Sequence, residues 1–252
     1  MKKNNILLMV MAMAWLHIGM AGGKCLADSM QVRVRAGYSI GATTPIGIPA
    51  EIRSIESLRL TPNFLAGADV HLPLGNRWGV LTGLHIENKG LDGEVTTKGY
   101  HMRVLMDESE LEGYFTGHVR QKVTQWMLSV PLQASYRPSS RLSLHGGPYV
   151  SLLVSSDFSG YAFSGYLRVD DPTGDMVQMG SKDGEWATYD FSDDLRRCQL
   201  GLAAGADWLL SRHMGTSVDL SWGLTAIHHS RFKTIGHRLY PIYGTISIFY
   251  QL

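Results

Sequence analysis

The chain has only two cysteines, and beyond its N-terminal segment no stretch reaches 18 consecutive apolar residues. The second lack excludes a helical membrane protein. No long segment with a 3.6-residue apolar period is present either, so a helical bundle is excluded. There is no Pro/Ser-rich linker and no low-complexity tract to divide the chain. A surplus of basic charge is also missing: the formal net charge is +1, and nothing points to nucleic acid.

The N-terminal segment explains one of the two cysteines. Lys2 and Lys3 precede an apolar run over 6–16, and Cys25-Leu26-Ala27 forms a small-x-small site before Asp28. That pattern predicts a secretory signal peptide over 1–27 and a mature domain over 28–252. The run is too short for a spanning helix, which takes roughly 20 residues. Lys24 stands where a lipobox needs a small residue. Removing Lys2, Lys3 and Lys24 leaves 20 basic against 22 acidic residues, a net charge of −2. Cys198 is then the only cysteine, so no intramolecular disulfide forms.

What the chain does have is alternation. In QVRVRAGYSIG, Val32, Val34, Ala36, Tyr38 and Ile40 share one face, and Arg33, Arg35, Gly37 and Ser39 the other. Period-2 patterns of this kind recur over 64–72, 78–87, 126–136, 142–154, 198–210 and 217–226, and in the closing YGTISIFYQL. About eight strands result, each long enough to cross a bilayer at a tilt. The connections alternate. PLGNR, RPSSR and SRHMG are short turns; the segments 46–60, 91–122 and 157–197 are long, and 229–238 is of middle length. Short turns opposite long loops mark a barrel whose ends face different compartments.

Alternation does not say which face points inward, since a soluble barrel puts its apolar face inside. Two features favour the inverted arrangement. The polar face carries Arg33, Arg35, Asp69, His71, His85, Glu87, Asp207 and Asp219, with many glycines. Aromatics cluster at the strand ends of the apolar face: Trp78, Tyr136, Trp208 and Tyr250 near the short turns, and Tyr38, Phe64 and Trp126 near the long loops. These form two expected interfacial girdles. In hydrocarbon every strand must be paired, so QVRVRAGYSIG is expected to bond to YGTISIFYQL. The bore of eight strands holds side chains only, and charges there must be paired. Arg33 and Arg35 are expected to pair with acids among Asp69, Glu87, Asp207 and Asp219.

Several stretches resemble the PorT-like outer-membrane β-barrel proteins: GYSIGATTP, FLAGADVHLPL, WGVLTGLHIENKG, LSVPLQASYR, LHGGPYVSLLVSS, LGLAAGADWLL and VDLSWGLTAI. The resemblance implies a small outer-membrane barrel whose namesake takes part in protein secretion. Most members of that family have no assigned activity.

The fold class expected is therefore all-β, a closed antiparallel up-and-down transmembrane barrel with long extracellular loops and periplasmic termini. Its partners are outer-membrane lipid, the barrel-assembly machinery during biogenesis, and a protein or glycan at the long loops. YGTISIFYQL resembles an assembly signal in part, with Leu252 in place of a terminal aromatic. No cofactor and no catalysis are expected. One pattern argues otherwise: His228 and Ser230 resemble the His-x-Ser pair of lipid A deacylase barrels. That chemistry needs a carboxylate to orient the histidine, and no acidic residue follows Asp219. His101, His118, His213 and His237 have no metal-ligand spacing. The acidic stretch 170–175, with Asp183 and Glu185, reads either as a solvated turn or as a calcium loop without EF-hand spacing. In the long loops, EVTTKGYHMRVLM and LEGYFTGHVRQKV read as a hairpin continuing two strands. Phe158, Tyr161, Phe163, Tyr166, Trp186, Tyr189 and Phe191 suit either a packed lid or a partner surface.

Overall fold

A computed structural model describes residues 30–45, 47, 49–59, 61–106, 109–182, 184–229 and 238–252. The signal peptide expected over 1–27 lies outside these residues. Eight strands form the ring: β1 (Gln31–Pro45), β3 (Asn63–Pro73), β4 (Trp78–Met106), β5 (Ser109–Tyr136), β6 (Leu142–Val169), β9 (Cys198–Leu209), β10 (Met214–Gly223) and β11 (Leu239–Gln251). Each pairs antiparallel with its neighbours in chain order. β11 closes onto β1 from Arg33↔Gln251 to Pro45↔Leu239. Three further strands, β2 (Ile52–Arg59), β7 (Met176–Met179) and β8 (Ala187–Asp190), belong to the long connections.

The barrel wears its apolar residues outside. Leu132, Leu220, Ile246 and Ile248 are 59–62 % exposed. A continuous apolar belt of this kind has no place in water and matches a lipid-facing wall. Inside, large side chains sit over small ones, as a narrow bore requires. Tyr149 lies across its cross-strand partner Gly201, and Phe249 across Gly215; a Cβ at either glycine would collide with the ring.

Three strands far exceed a membrane crossing. β4 has 29 residues, β5 and β6 have 28 each, and roughly 10 suffice to span a bilayer. The expected β4–β5 hairpin is present, tapering to Met106↔Ser109. The segment 157–197 departs from the expectation of a loop: its first part continues β6 to Val169, and its remainder returns as β7 and β8. The loop over 46–60 likewise contains β2, which pairs with β4. β8 touches both β6 (Ser159↔Asp190) and β4 (Leu105↔Thr188). Above the membrane barrel, β4, β5, β6 and β8 thus close a second, smaller ring.

The interior of this second ring is apolar. Met102, Val104, Phe115, Val119, Val123, Phe158, Ala162, Leu167, Ala187 and Tyr189 fill it, with Phe191, Leu195, Ile227 and Leu239 at its base. The change of interior is sharp and falls at one row. Lys89, Gln125 and Ser156 are neighbours across β4, β5 and β6; the next inward row is Leu91, Val123 and Phe158. On β5 the same face carries Gln133, Ser129 and Met127 below the row, Gln125 in it, and Val123, Val119 and Phe115 above it, all buried.

Candidate functional site

Two constellations hold the chemistry. The first fills the membrane barrel. β1 points Arg33 and Arg35 inward because both fall on its lumen parity. Arg33 Nη1 meets Asp207 Oδ2 at 2.8 Å. Arg35 is shared: its Nε lies 2.5 Å from Asp69, its Nη1 3.3 Å from Asp219, and its Nη2 3.8 Å from Asp207. Two histidines complete the lower cluster. His85 Nε2 is 2.7 Å from Asp69 Oδ1, and His145 Nε2 is 3.3 Å from Asp207 and 3.5 Å from Asp219. The arginines, Asp69 and Asp207 are all at most 6 % exposed. Charges so buried persist only when paired.

Glu87 stands apart from this cluster. Its partner is Lys89 at 3.0 Å, and it also accepts a hydrogen bond from Ser129 at 2.5 Å. Lys89 lies 5.2 Å from the ring centre of Tyr149 and 5.7 Å from that of Tyr243. The sequence expectation ended this strand at Glu87 and so missed Lys89, although the two share a face two residues apart. Phe249, the apolar residue on the polar side of YGTISIFYQL, has Arg33 over its ring at 4.8 Å. Together these groups occupy the bore with paired charge and stacked rings.

On the outer wall, Trp78, Tyr136, Trp208 and Tyr250 lie at the short-turn end, and Trp126 with Tyr38 and Phe64 at the other. Trp78 packs on Tyr136 at 4.8 Å, and Tyr38 on Phe64 at 5.8 Å.

The second constellation is the outer face of the extension. Aromatic and charged residues there form rows across β4, β5 and β6: Glu94–Arg120–Tyr161, Thr96–His118–Phe163 and His101–Tyr114–Arg168. Their side chains touch. Tyr161 stacks on Trp186 at 5.1 Å and meets Phe163 at 5.4 Å; His118 stacks on Phe163 at 5.5 Å. Arg168 lies over Tyr166 at 5.8 Å. Hydrogen bonding to Asp92, 3.3 Å away, raises the pKa of Arg120 above its ordinary value. Glu56 of β2 is held below the usual carboxylate range by hydrogen bonds from Ser54 and Thr96.

The loop aromatics therefore divide. Phe158, Tyr189 and Phe191 pack inward, while Tyr161, Phe163, Tyr166 and Trp186 remain half-buried outside. The remaining candidates lie elsewhere. His228 is buried in a bridge with Leu195, and Ser230 and His237 lie outside the described residues. His213 stacks on Tyr250 at 5.7 Å. Asp171 accepts hydrogen bonds from the amide and hydroxyl of Thr173, each at 2.7 Å, which closes a turn. Among the described residues, no three metal-ligating side chains converge.

Several solved structures are similar to this chain. The Yersinia pestis attachment invasion locus protein Ail, in complex with the heparin analogue sucrose octasulfate, is 9 % identical over 88 % of this chain and 99 % of its own, with a TM-score of 0.40. Acinetobacter baumannii CarO2 is 11 % identical over 87 % and 99 %, with a TM-score of 0.40. Neisserial surface protein A is 8 % identical over 88 % and 97 %, with a TM-score of 0.35. No curated protein matches the chain. Residues 26–229 match the family described as outer membrane protein beta-barrel domain. With most of its length matched, the chain belongs to the outer membrane protein beta-barrel domain family.

Proposed function

We propose that this outer-membrane barrel is a binding protein, which presents the outer face of its extension to a protein or glycan outside the cell. The carrying observation is the row of Tyr161, Phe163, Trp186 and His118. The interior of the extension is already full of apolar side chains, so these rings are not needed for its core. They stay half-buried on a water-facing sheet, flanked by Arg120, Asp92 and Glu94. Rigid aromatics beside ionic groups are the composition of a recognition surface.

The filled bore supports the same reading, because paired charge and stacked rings leave a binding or structural role rather than passage. Under this reading Trp78, Tyr136, Trp208 and Tyr250 lie at the periplasmic interface and Trp126 at the outer one, with 1–27 removed on export.

The test is binding of the purified, folded protein to a panel of extracellular polysaccharides and matrix proteins. The triple variant Tyr161→Ala, Phe163→Ala, Trp186→Ala is expected to bind at least about tenfold more weakly, as loss of an aromatic anchor does. Unchanged binding by that variant, or a wild-type protein that binds nothing on the panel, refutes the proposal. The PorT-like stretches support a second reading, a secretion-apparatus component. Loss of protein export on deletion of the gene tests that one.

A further inference from the structure

The three short turns of the barrel carry Arg77, Arg137, Arg141 and Arg212, and no acidic residue. They join β3 to β4, β5 to β6 and β9 to β10, so they are distributed round the rim. Arg137 turns inward, toward Gln31 at 3.3 Å and His71 at 3.4 Å. Arg77, Arg141 and Arg212 are exposed. Among the described residues none of these three has a carboxylate within salt-bridge distance.

Their surroundings are apolar. Leu74, Leu210 and Leu252 are 65–72 % exposed on the same rim. Arg77 follows the turn into Trp78 and donates to the hydroxyl of Tyr136 at 3.4 Å. A guanidinium set level with tyrosine hydroxyls, just beyond exposed leucines, sits where hydrocarbon gives way to headgroups. We propose that Arg77, Arg141 and Arg212 form an anionic-phospholipid docking ring, gripping the phosphates of the leaflet at the short-turn end. The inference rests on the reading that this end faces the periplasm and lies at a membrane interface. Arginine suits the task because its planar fork holds phosphate oxygens in pairs.

The experiment reconstitutes the full folded protein in phosphatidylcholine vesicles containing spin-labelled phosphatidylglycerol or spin-labelled phosphatidylcholine. Electron spin resonance then compares the immobilised boundary fractions. Phosphatidylglycerol is expected to be enriched by roughly fivefold at low salt, the preference that one arginine near a membrane surface supports. The preference should fall toward one in Arg77→Gln, Arg141→Gln, Arg212→Gln and weaken without vanishing in the matching lysine variant, which keeps the charge but not the fork. If the glutamine variant does not fold, wild-type protein in about 1 M salt, where screening acts within about 3 Å, must lose the preference. Equal association of the two lipids, or a preference untouched by both treatments, overturns the inference. So does retention of the protein on immobilised polyglutamate without a lipid preference, which would assign the ring to an acidic protein. Failure to enter vesicles at all removes the membrane reading beneath it, whereas insertion without lipid preference removes the docking ring alone.

Discussion

Below the row Lys89–Gln125–Ser156 the protein hides its polar residues and shows its apolar ones; above that row it does the reverse. The same three strands make both halves, and the ladder of β4 with β5 crosses the row without interruption from His85↔Ser129 to Thr97↔Gly117. The β4–β5 backbone geometry is therefore common to both regions, while β5 and β6 change register at Trp126/Met127. Lipid outside favours Trp126, Leu128 and Leu132 on the wall and leaves the bore largely to polar groups, whose arginines and acids are paired. Water outside favours Lys122, Arg120 and His118 on the wall and an interior of Val123, Val119 and Phe115. β5 serves both with one inward parity, from Gln133 to Phe115, whereas β6 changes parity at the irregularity opposite Trp126 and Met127, so that Ser151 and Phe158 both point inward. On the proposed reading, the level at which polarity changes is the outer edge of the bilayer.

The comparison can be broken most severely at the seam. Deleting Tyr250 to Leu252 removes pairing from both β1 and β10 and should abolish assembly into the outer membrane. Normal heat-modifiable mobility of the truncated protein would contradict this. Arg35→Met comes next. It leaves Asp69, Asp207 and Asp219 without their shared partner and should destabilise the barrel by about 3–5 kcal/mol, read as a shifted urea midpoint in detergent or vesicles. A shift of the same size should not follow from opening the extension. Phe158→Ala empties a site with no solvent exposure, at a cost of about 3–5 kcal/mol. Its effect should be local: amide exchange should rise over 91–123 and 157–195 while the membrane barrel keeps its heat-modifiable mobility. Equal loss of protection in both regions would mean that the extension is not a separate packing unit.

The smallest expected effect is a pH response of the extension. Burial pushes the phenol of Tyr189 well above its ordinary value, and its hydroxyl donates to the carbonyl of Arg120 at 3.0 Å. A phenol held protonated in the folded state makes no difference below the unfolded value. Above about pH 10 the unfolded state loses its proton first, and stability falls. Exchange in the extension should therefore accelerate above about pH 10, and the step should shrink in Tyr189→Phe. An identical alkaline profile in that variant would exclude Tyr189 as its source.

Much of the barrel was legible because each crossing strand keeps one clean parity. The closure of β11 on β1 followed from the cost of bare backbone in hydrocarbon, and the pairing of Arg33 and Arg35 from the cost of lone charge. The extension was harder to read, for two physical reasons. Its strands carry irregularities that shift parity, on β4 between Thr97 and Tyr100 and on β6 opposite Trp126/Met127 and opposite Thr116/His118. Gly117 sits near one of them with φ of 152°, and Ser164 interrupts β6 with φ of 47°. Its outer face also carries aromatics, so Tyr161 and Phe163 compete with Phe158 and Ala162 for the apolar parity, and β6 beyond Asp157 reads as a loop. Lys89 was missed for a simpler reason: the strand was ended one inward position too soon.

The long ladders of β4, β5 and β6 have a mechanical consequence. A ligand held on the row of Tyr161, Phe163 and Trp186 pulls along strands that are continuous down into the bilayer. Force in that direction shears many inter-strand hydrogen bonds together instead of opening them one after another. The proposed binding face is thus mounted on a stalk whose β4–β5 ladder runs unbroken through its foot, while β5 and β6 change register there at Trp126/Met127, and a tether made on that face would load the β4–β5 ladder first.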